Sequence, residues 1–124
     1  MTPEANIHED FETPFASIDL ANLNHNAETM HAWVADHGAE LWPHAKTVMS
    51  RELVELQLDA GSVGMTAATM AQVRTLRGWG VHHVMLANQL VQPSAAEWIA
   101  RQQHGHPERA FWSFIDSVEG IAVL

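Results

Sequence analysis

The chain has 124 residues, of which 47% are hydrophobic and 17% charged, and its formal net charge is −9. That length suits one modest domain with a core. The charge excludes binding to nucleic acid or an anionic membrane by bulk attraction, and the absence of cysteine excludes disulfides and thiolate metal sites.

A phosphorylated ligand would need local help from helix N-termini and backbone amides. No apolar run approaches the roughly 20 residues of a membrane span. Residues 1–12 read as an acidic leader without the basic and apolar regions of a secretory signal, so a cytoplasmic protein is expected. The remainder, 13–124, reads as one unit.

Phe15 to Leu20 reads as a short strand, with Asp19 or Asn22 placed to cap the next helix. That helix is expected to reach about His37. Leu20, Leu23, Ala27, Met30 and Val34 recur at steps of three and four, and Gly38 ends the run. Ala39–Ala45 reads as a buried strand, followed by a helix from about Ser50 to Ala60 that Gly61 closes. Strand Ser62–Ala67 leads to a helix from Thr69, where Thr69 and Gln72 have the spacing of a capping box. Gly78 and Gly80 close that helix. Strand Val81–Ala87 leads through Pro93 to a helix opening at Ser94, with Glu97 as a second capping box and Gly105 as its end. Ala110–Asp116 is the last strand, and the residues up to Leu124 read as the next loop or helix.

The closing glycines at 38, 61, 80 and 105 are 23, 19 and 25 residues apart, the rhythm of successive βα units. The strands VGMTAA, VHHVMLA and AFWSFI are mostly apolar, as parallel strands buried on both faces are. Two architectures fit: a small open α/β sheet, or the first half of a (β/α)8 TIM barrel, which needs roughly 250 residues when complete. Length by itself favours the open sheet.

Lys46 is the only lysine; the other five cationic side chains are Arg51, Arg74, Arg77, Arg101 and Arg109. It stands where a strand hands over to a loop, the end at which parallel α/β proteins bind ligands. A partly desolvated amine there loses its proton more easily and can attack a carbonyl. The plain alternative is a solvated loop lysine. His44, two residues earlier, shares the Lys46 face of the strand and either tunes the site or serves as a structural histidine. Asn88 and Thr66 close the next two strands on the same rim, and Asn88 is the better candidate for a polar contact. Asp116-Ser117 reads as a helix cap. His82-His83 and His104-x-His106 offer no same-face pair, so no metal site is expected. The five tryptophans, spread one per element, read as packing residues.

Three segments carry a family resemblance, in order. They are Thr13-Pro14-Phe15-Ala16-Ser17-Ile18-Asp19-Leu20; Pro43-His44-Ala45-Lys46-Thr47; and Gln57-Leu58-Asp59-Ala60-Gly61-Ser62-Val63-Gly64 followed by Leu86-Ala87-Asn88-Gln89-Leu90-Val91. The stretch from Thr13 to about Ser117 resembles the D-threonine aldolase and D-serine dehydratase family, pyridoxal phosphate (PLP) enzymes with the alanine racemase type of barrel. The resemblance implies the N-terminal half of such a barrel, with about four barrel strands. It implies that Lys46 holds PLP as an imine and, once displaced by a D-amino acid, serves as base for the α-proton. His44 and Asn88 are the further cofactor-binding candidates. The implied reaction is elimination from D-serine-like substrates or Cα–Cβ cleavage of β-hydroxy D-amino acids such as D-threonine.

Where dehydratase-like members continue the lysine motif with histidine and lysine, this chain has Val48 and Met49. That is similar to the branch described as amino-acid deaminases or D-serine-deaminase-like proteins. The family's later strands, phosphate loops and divalent-metal ligands have no counterpart here, so the chain reads as an N-terminal fragment. The expectation is a homodimer when full length, and an inactive half-barrel alone, with two bare strand edges and an apolar interior. Other readings stay open: a non-catalytic PLP-binding barrel protein, whose lysine context differs from PHAKT; a small α/β interaction module without cofactor, suited to a basic partner; or a racemase whose second acid–base group lies outside this chain.

Overall fold

The computed structural model describes residues 11–123; most of the expected acidic leader, residues 1–10, lies outside the described residues. The elements are α1 (Leu20–Asp36), α2 (Arg51–Asp59), β1 (Met65–Ala67), α3 (Met70–Gly78), β2 (His83–Gln89), α4 (Pro93–Gly105), β3 (Ala110–Phe114) and α5 (Val118–Val123). The three strands form one parallel sheet in the order β1-β2-β3.

Local chemistry sets the helix starts. Asp19 accepts from the Asn22 amide at 3.0 Å to cap α1. Ser50 caps α2 through Leu53 N–H. Thr69 caps α3 through Gln72 N–H, while Gln72 Oε1 reaches back to the Ala68 amide at 2.8 Å. The second expected capping box does not form. Pro93, pre-set for a first helical turn, starts α4 a residue early, so Ser94 is inside the helix and Glu97 instead faces Arg101 at 3.7 Å. Gly38, at φ +64°, leaves α1 through the left-handed region that a Cβ disfavours.

Two expected strands are corrected. Residues 15–19 are exposed and extended without a ladder partner among the described residues, and lead directly into the α1 cap. Ala39–Ala45 is not a regular strand either. Only the His44–Thr66 bridge forms, because Pro43 has no N–H to continue a ladder. The segment still runs parallel to β1. Thr66 N–H donates to the Pro43 carbonyl at 2.7 Å, Ala45 N–H to the Thr66 carbonyl at 2.9 Å, and Val63 N–H to the Leu41 carbonyl at 3.2 Å. Three strands and one bridged segment therefore stand where a leading strand and four barrel strands were expected.

Among the described residues the sheet is covered on one face, not both. Met65, Ala67, Val84 and Leu86 are buried together with Val54 of α2, Val73 and Leu76 of α3, and Ala95 and Ile99 of α4. Alternation puts Thr66, His83, Met85, Trp112 and Phe114 on the other face. There Trp112 is 47% exposed and Phe114 53%. Trp42 packs edge-on to Trp112 at 4.8 Å and stacks over His83 at 6.0 Å. Gly64 makes room for this: a Cβ on it would collide with the Trp42 ring and the His83 carbonyl. Of the stripe read on α1, only Val34 is buried, while Leu20 and Met30 are exposed.

Buried Arg77 staples the opposite end of the sheet. Its Nη1 donates to the carbonyls of Val81 and His82, and Nη2 to that of Ala110 at 2.8 Å. One guanidinium thus joins the end of α3 to the starts of β2 and β3, in the fork geometry that arginine offers. Burial, then the neighbouring Arg109, push its pKa down, against the pull of Glu108.

Candidate functional site

The segment before Lys46 is held on the sheet by the bonds either side of His44 and by Thr66 Oγ1, which donates to the Trp42 carbonyl at 2.8 Å. Thr66 is buried and its hydroxyl is spent on this tie, so it is not a free rim group. After Ala45 the chain turns. The Ala45 carbonyl accepts from Val48 N–H at 3.3 Å and Met49 N–H at 2.9 Å, and Met49 takes φ +45°. A non-glycine residue in that region is held there by its surroundings. Met49 packs against the core and Ala45 is buried, so the turn is anchored at both ends. Lys46 lies between them, exposed, and forms no ion pair with a described residue. The desolvated environment expected for it is not present in this chain. His44 is exposed as well.

Asn88 lies two strands from the Lys46 segment, roughly 10 Å at ordinary strand spacing, at the same end of the sheet. Ladder pairing breaks between Leu86 and Gln89 of β2, so Ala87 and Asn88 bulge there. Asn88 Oδ1 accepts from Gln89 N–H at 3.2 Å, and Nδ2 lies 3.5 Å from the Ala68 carbonyl. A cleft of about 170 Å³ opens beside it, bounded by Ala68, Thr69, Leu90 and Gln92, where α3 and α4 begin. Lys46, His44 and Asn88 thus share one rim without hydrogen bonds between them among the described residues.

Sequence reasoning missed one rim pair. Gln89 Nε2 donates to Asp116 Oδ2 at 2.9 Å, linking the ends of β2 and β3. The expected cap is Ser117 alone: its hydroxyl accepts from Gly120 N–H at 3.0 Å. No sequence spacing signals the Gln89–Asp116 contact, because it depends on the bulge. Below the rim, the uncovered face carries a hollow of about 360 Å³ lined by Glu40, Trp42, Met85, Trp112, Ser113 and Phe114. A wider groove of about 550 Å³ between α1 and α2 is acidic, with Glu28, Glu52, Glu55 and Asp59 on its walls; neither Lys46 nor Asn88 lines it. Among the described residues no group of three metal-binding side chains comes together, and no helix is long and apolar enough to cross a membrane.

No protein-family model matches the chain. A D-threonine aldolase from an Arthrobacter species is 29% identical over 83 residues, covering 67% of this chain and 22% of that protein. A D-threo-3-hydroxyaspartate dehydratase from Delftia sp. (strain HT23) is 23% identical over 113 residues, covering 91% of this chain and 30% of that protein. The solved D-threonine aldolase from Filomicrobium marinum matches 92% of this chain with a TM-score of 0.82 at 23% identity. A single-residue variant of D-threo-3-hydroxyaspartate dehydratase matches 91% with a TM-score of 0.79 at 24% identity. The chain covers 30% and 28% of those two structures, so the fold agrees with part of each. This protein is a distant homologue of D-threonine aldolase and D-threo-3-hydroxyaspartate dehydratase, and spans less than a third of the length of either relative.

Proposed function

We propose that this chain carries the lysine-bearing part of a PLP-dependent lyase acting on small β-hydroxy D-amino acids, on the N-terminal half of an alanine racemase-like (β/α)8 barrel. The observation that carries the reading is the position of the sole lysine. It stands at the C-terminal rim of a parallel sheet whose inner face is uncovered. The residues fit the cofactor at its aldehyde end: an exposed primary amine on an anchored turn at the rim. PLP, when bound, supplies an electron sink for the charge that develops at the substrate's Cα.

Lys46 would hold the cofactor through its Nζ, and the same amine, when free, would serve as base for the substrate's Cα proton. The Ala45–Met49 turn fixes where that amine stands. Asn88, whose amide is only weakly engaged by the Ala68 carbonyl, offers a hydrogen bond to cofactor or substrate, and His44 flanks the lysine.

The test is to supply PLP with D-threonine and D-serine to the full-length protein. Acetaldehyde with glycine from D-threonine, or ammonia with pyruvate from D-serine, supports the lyase reading. Neither product from the full-length protein, with PLP held on Lys46, would favour a PLP carrier.

A further inference from the structure

Gly38, Gly61 and Gly80 take positive φ, where the lack of a Cβ leaves the backbone free to do so. Met49, at φ +45°, is the non-glycine residue that joins them among the described residues. With a side chain present that conformation is strained, because the Cβ crowds the following carbonyl oxygen. Glycine would adopt it freely. The chain instead carries methionine there, three residues after its sole lysine, so something must offset the strain.

The offset is an anchor. Lys46, Thr47 and Val48 are exposed, whereas Met49 is half-buried and packs against the core cluster that contains Ala45 and Val54. Its backbone is tied on both sides. Met49 N–H donates to the Ala45 carbonyl at 2.9 Å, and Ala45 N–H donates in turn to the Thr66 carbonyl of β1 at 2.9 Å. The next residue, Ser50, caps α2 through Leu53 N–H. Met49 is therefore the joint between a turn fixed to the sheet and the start of a helix. Relaxation of that joint to a right-handed or extended conformation would swing either the turn or the cap, and would move Lys46 relative to β1.

We propose that Met49 is a positioning residue for Lys46: its packed side chain holds the strained joint closed and so fixes the backbone from which the amine reaches. The role rests on the reading that Lys46 holds PLP. The lysine stem is flexible, so the backbone beneath it sets the region that Nζ samples. A misplacement of about 1 Å at a reacting group can cost about 100-fold in rate. Methionine suits the position because it is unbranched and adaptable, whereas a β-branched side chain is a genuine outlier at positive φ.

The test separates the anchor from the backbone preference, in the full-length protein. Met49→Leu keeps an apolar side chain of similar volume at the strained position. Met49→Gly and Met49→Asn suit the left-handed backbone and lose the anchor. Amide exchange read by peptide mass spectrometry, without cofactor, should quicken about tenfold over residues 46–49 in the Gly and Asn variants, while peptides from β1 and β2 keep wild-type rates. Borohydride trapping of PLP on Lys46 should slow by about tenfold in the same variants, with the N-terminal amine as an unchanged internal reference. Met49→Leu should match the wild type in both. Unaltered exchange in the Gly and Asn variants, an equal loss in Met49→Leu, or a quickening shared by every peptide, as a purely structural role would give, would each overturn the proposal. A wild type that takes no PLP on Lys46 would count against the PLP reading, while exchange would still decide whether Met49 holds the turn.

Discussion

Thr66 Oγ1 donates to the Trp42 carbonyl across 2.8 Å, and this side-chain bond reinforces the backbone bridge that holds the lysine segment to the sheet. Thr66→Val keeps the shape and removes the donor. The expected loss is about 1 kcal/mol of stability. Amide exchange at Ala45 should quicken, since its N–H lies in the same bridge. Thr66→Ser should keep both near wild type.

Gly64→Ala tests the packing beneath that segment. The added methyl would meet the Trp42 ring and the His83 carbonyl. Backbone cannot yield as a flexible side chain can, so a loss of about 1–3 kcal/mol is expected. A lowered Tm, with altered near-ultraviolet circular dichroism from Trp42 and Trp112, is the readout.

Arg77 closes the far end of the sheet. Arg77→Met keeps the stem but leaves the carbonyls of Val81, His82 and Ala110 without that donor. A loss of about 3 kcal/mol is expected in denaturant unfolding. Arg77→Lys should recover only part of it, since an ammonium cannot span three carbonyls as the fork does.

Acid should fray the start of α2. A backbone hydrogen bond and the Ser50 hydroxyl, at 2.8 Å, hold the Glu52 carboxyl below its ordinary value, with Arg51 adding to the effect. A depressed carboxylate contributes stability that is fully present above its unfolded pKa of about 4.3 and is lost as pH falls through the folded value. Amide signals of the first α2 turn should therefore change on acidification below about pH 4. Glu52→Gln should abolish that change.

Much of the helical layer was legible because caps and glycines act locally. Asp19, Ser50 and Thr69 cap helices through bonds three residues ahead. Other features depend on neighbours that sequence spacing does not reveal. Phe15–Leu20 has strand composition but no ladder partner among the described residues. The Ala39–Ala45 segment is apolar enough for a strand, yet Pro43 limits it to a bridge. The apolar strands read as buried on both faces, while Trp112 and Phe114 lie bare because the helices pack on the other side. At the rim, Lys46 stood out by being unique. The Gln89–Asp116 pair was hidden, because the β2 bulge that aims Gln89 leaves no periodic mark.

The most direct measurement uses that single lysine. The folded protein is incubated with PLP, reduced with borohydride, and digested for peptide mass spectrometry; besides Lys46, only the N-terminal amine can carry the adduct. The account predicts an adduct at Lys46 that disappears in Lys46→Ala. An adduct confined to the N-terminus, in protein that circular dichroism shows to be folded, would contradict it.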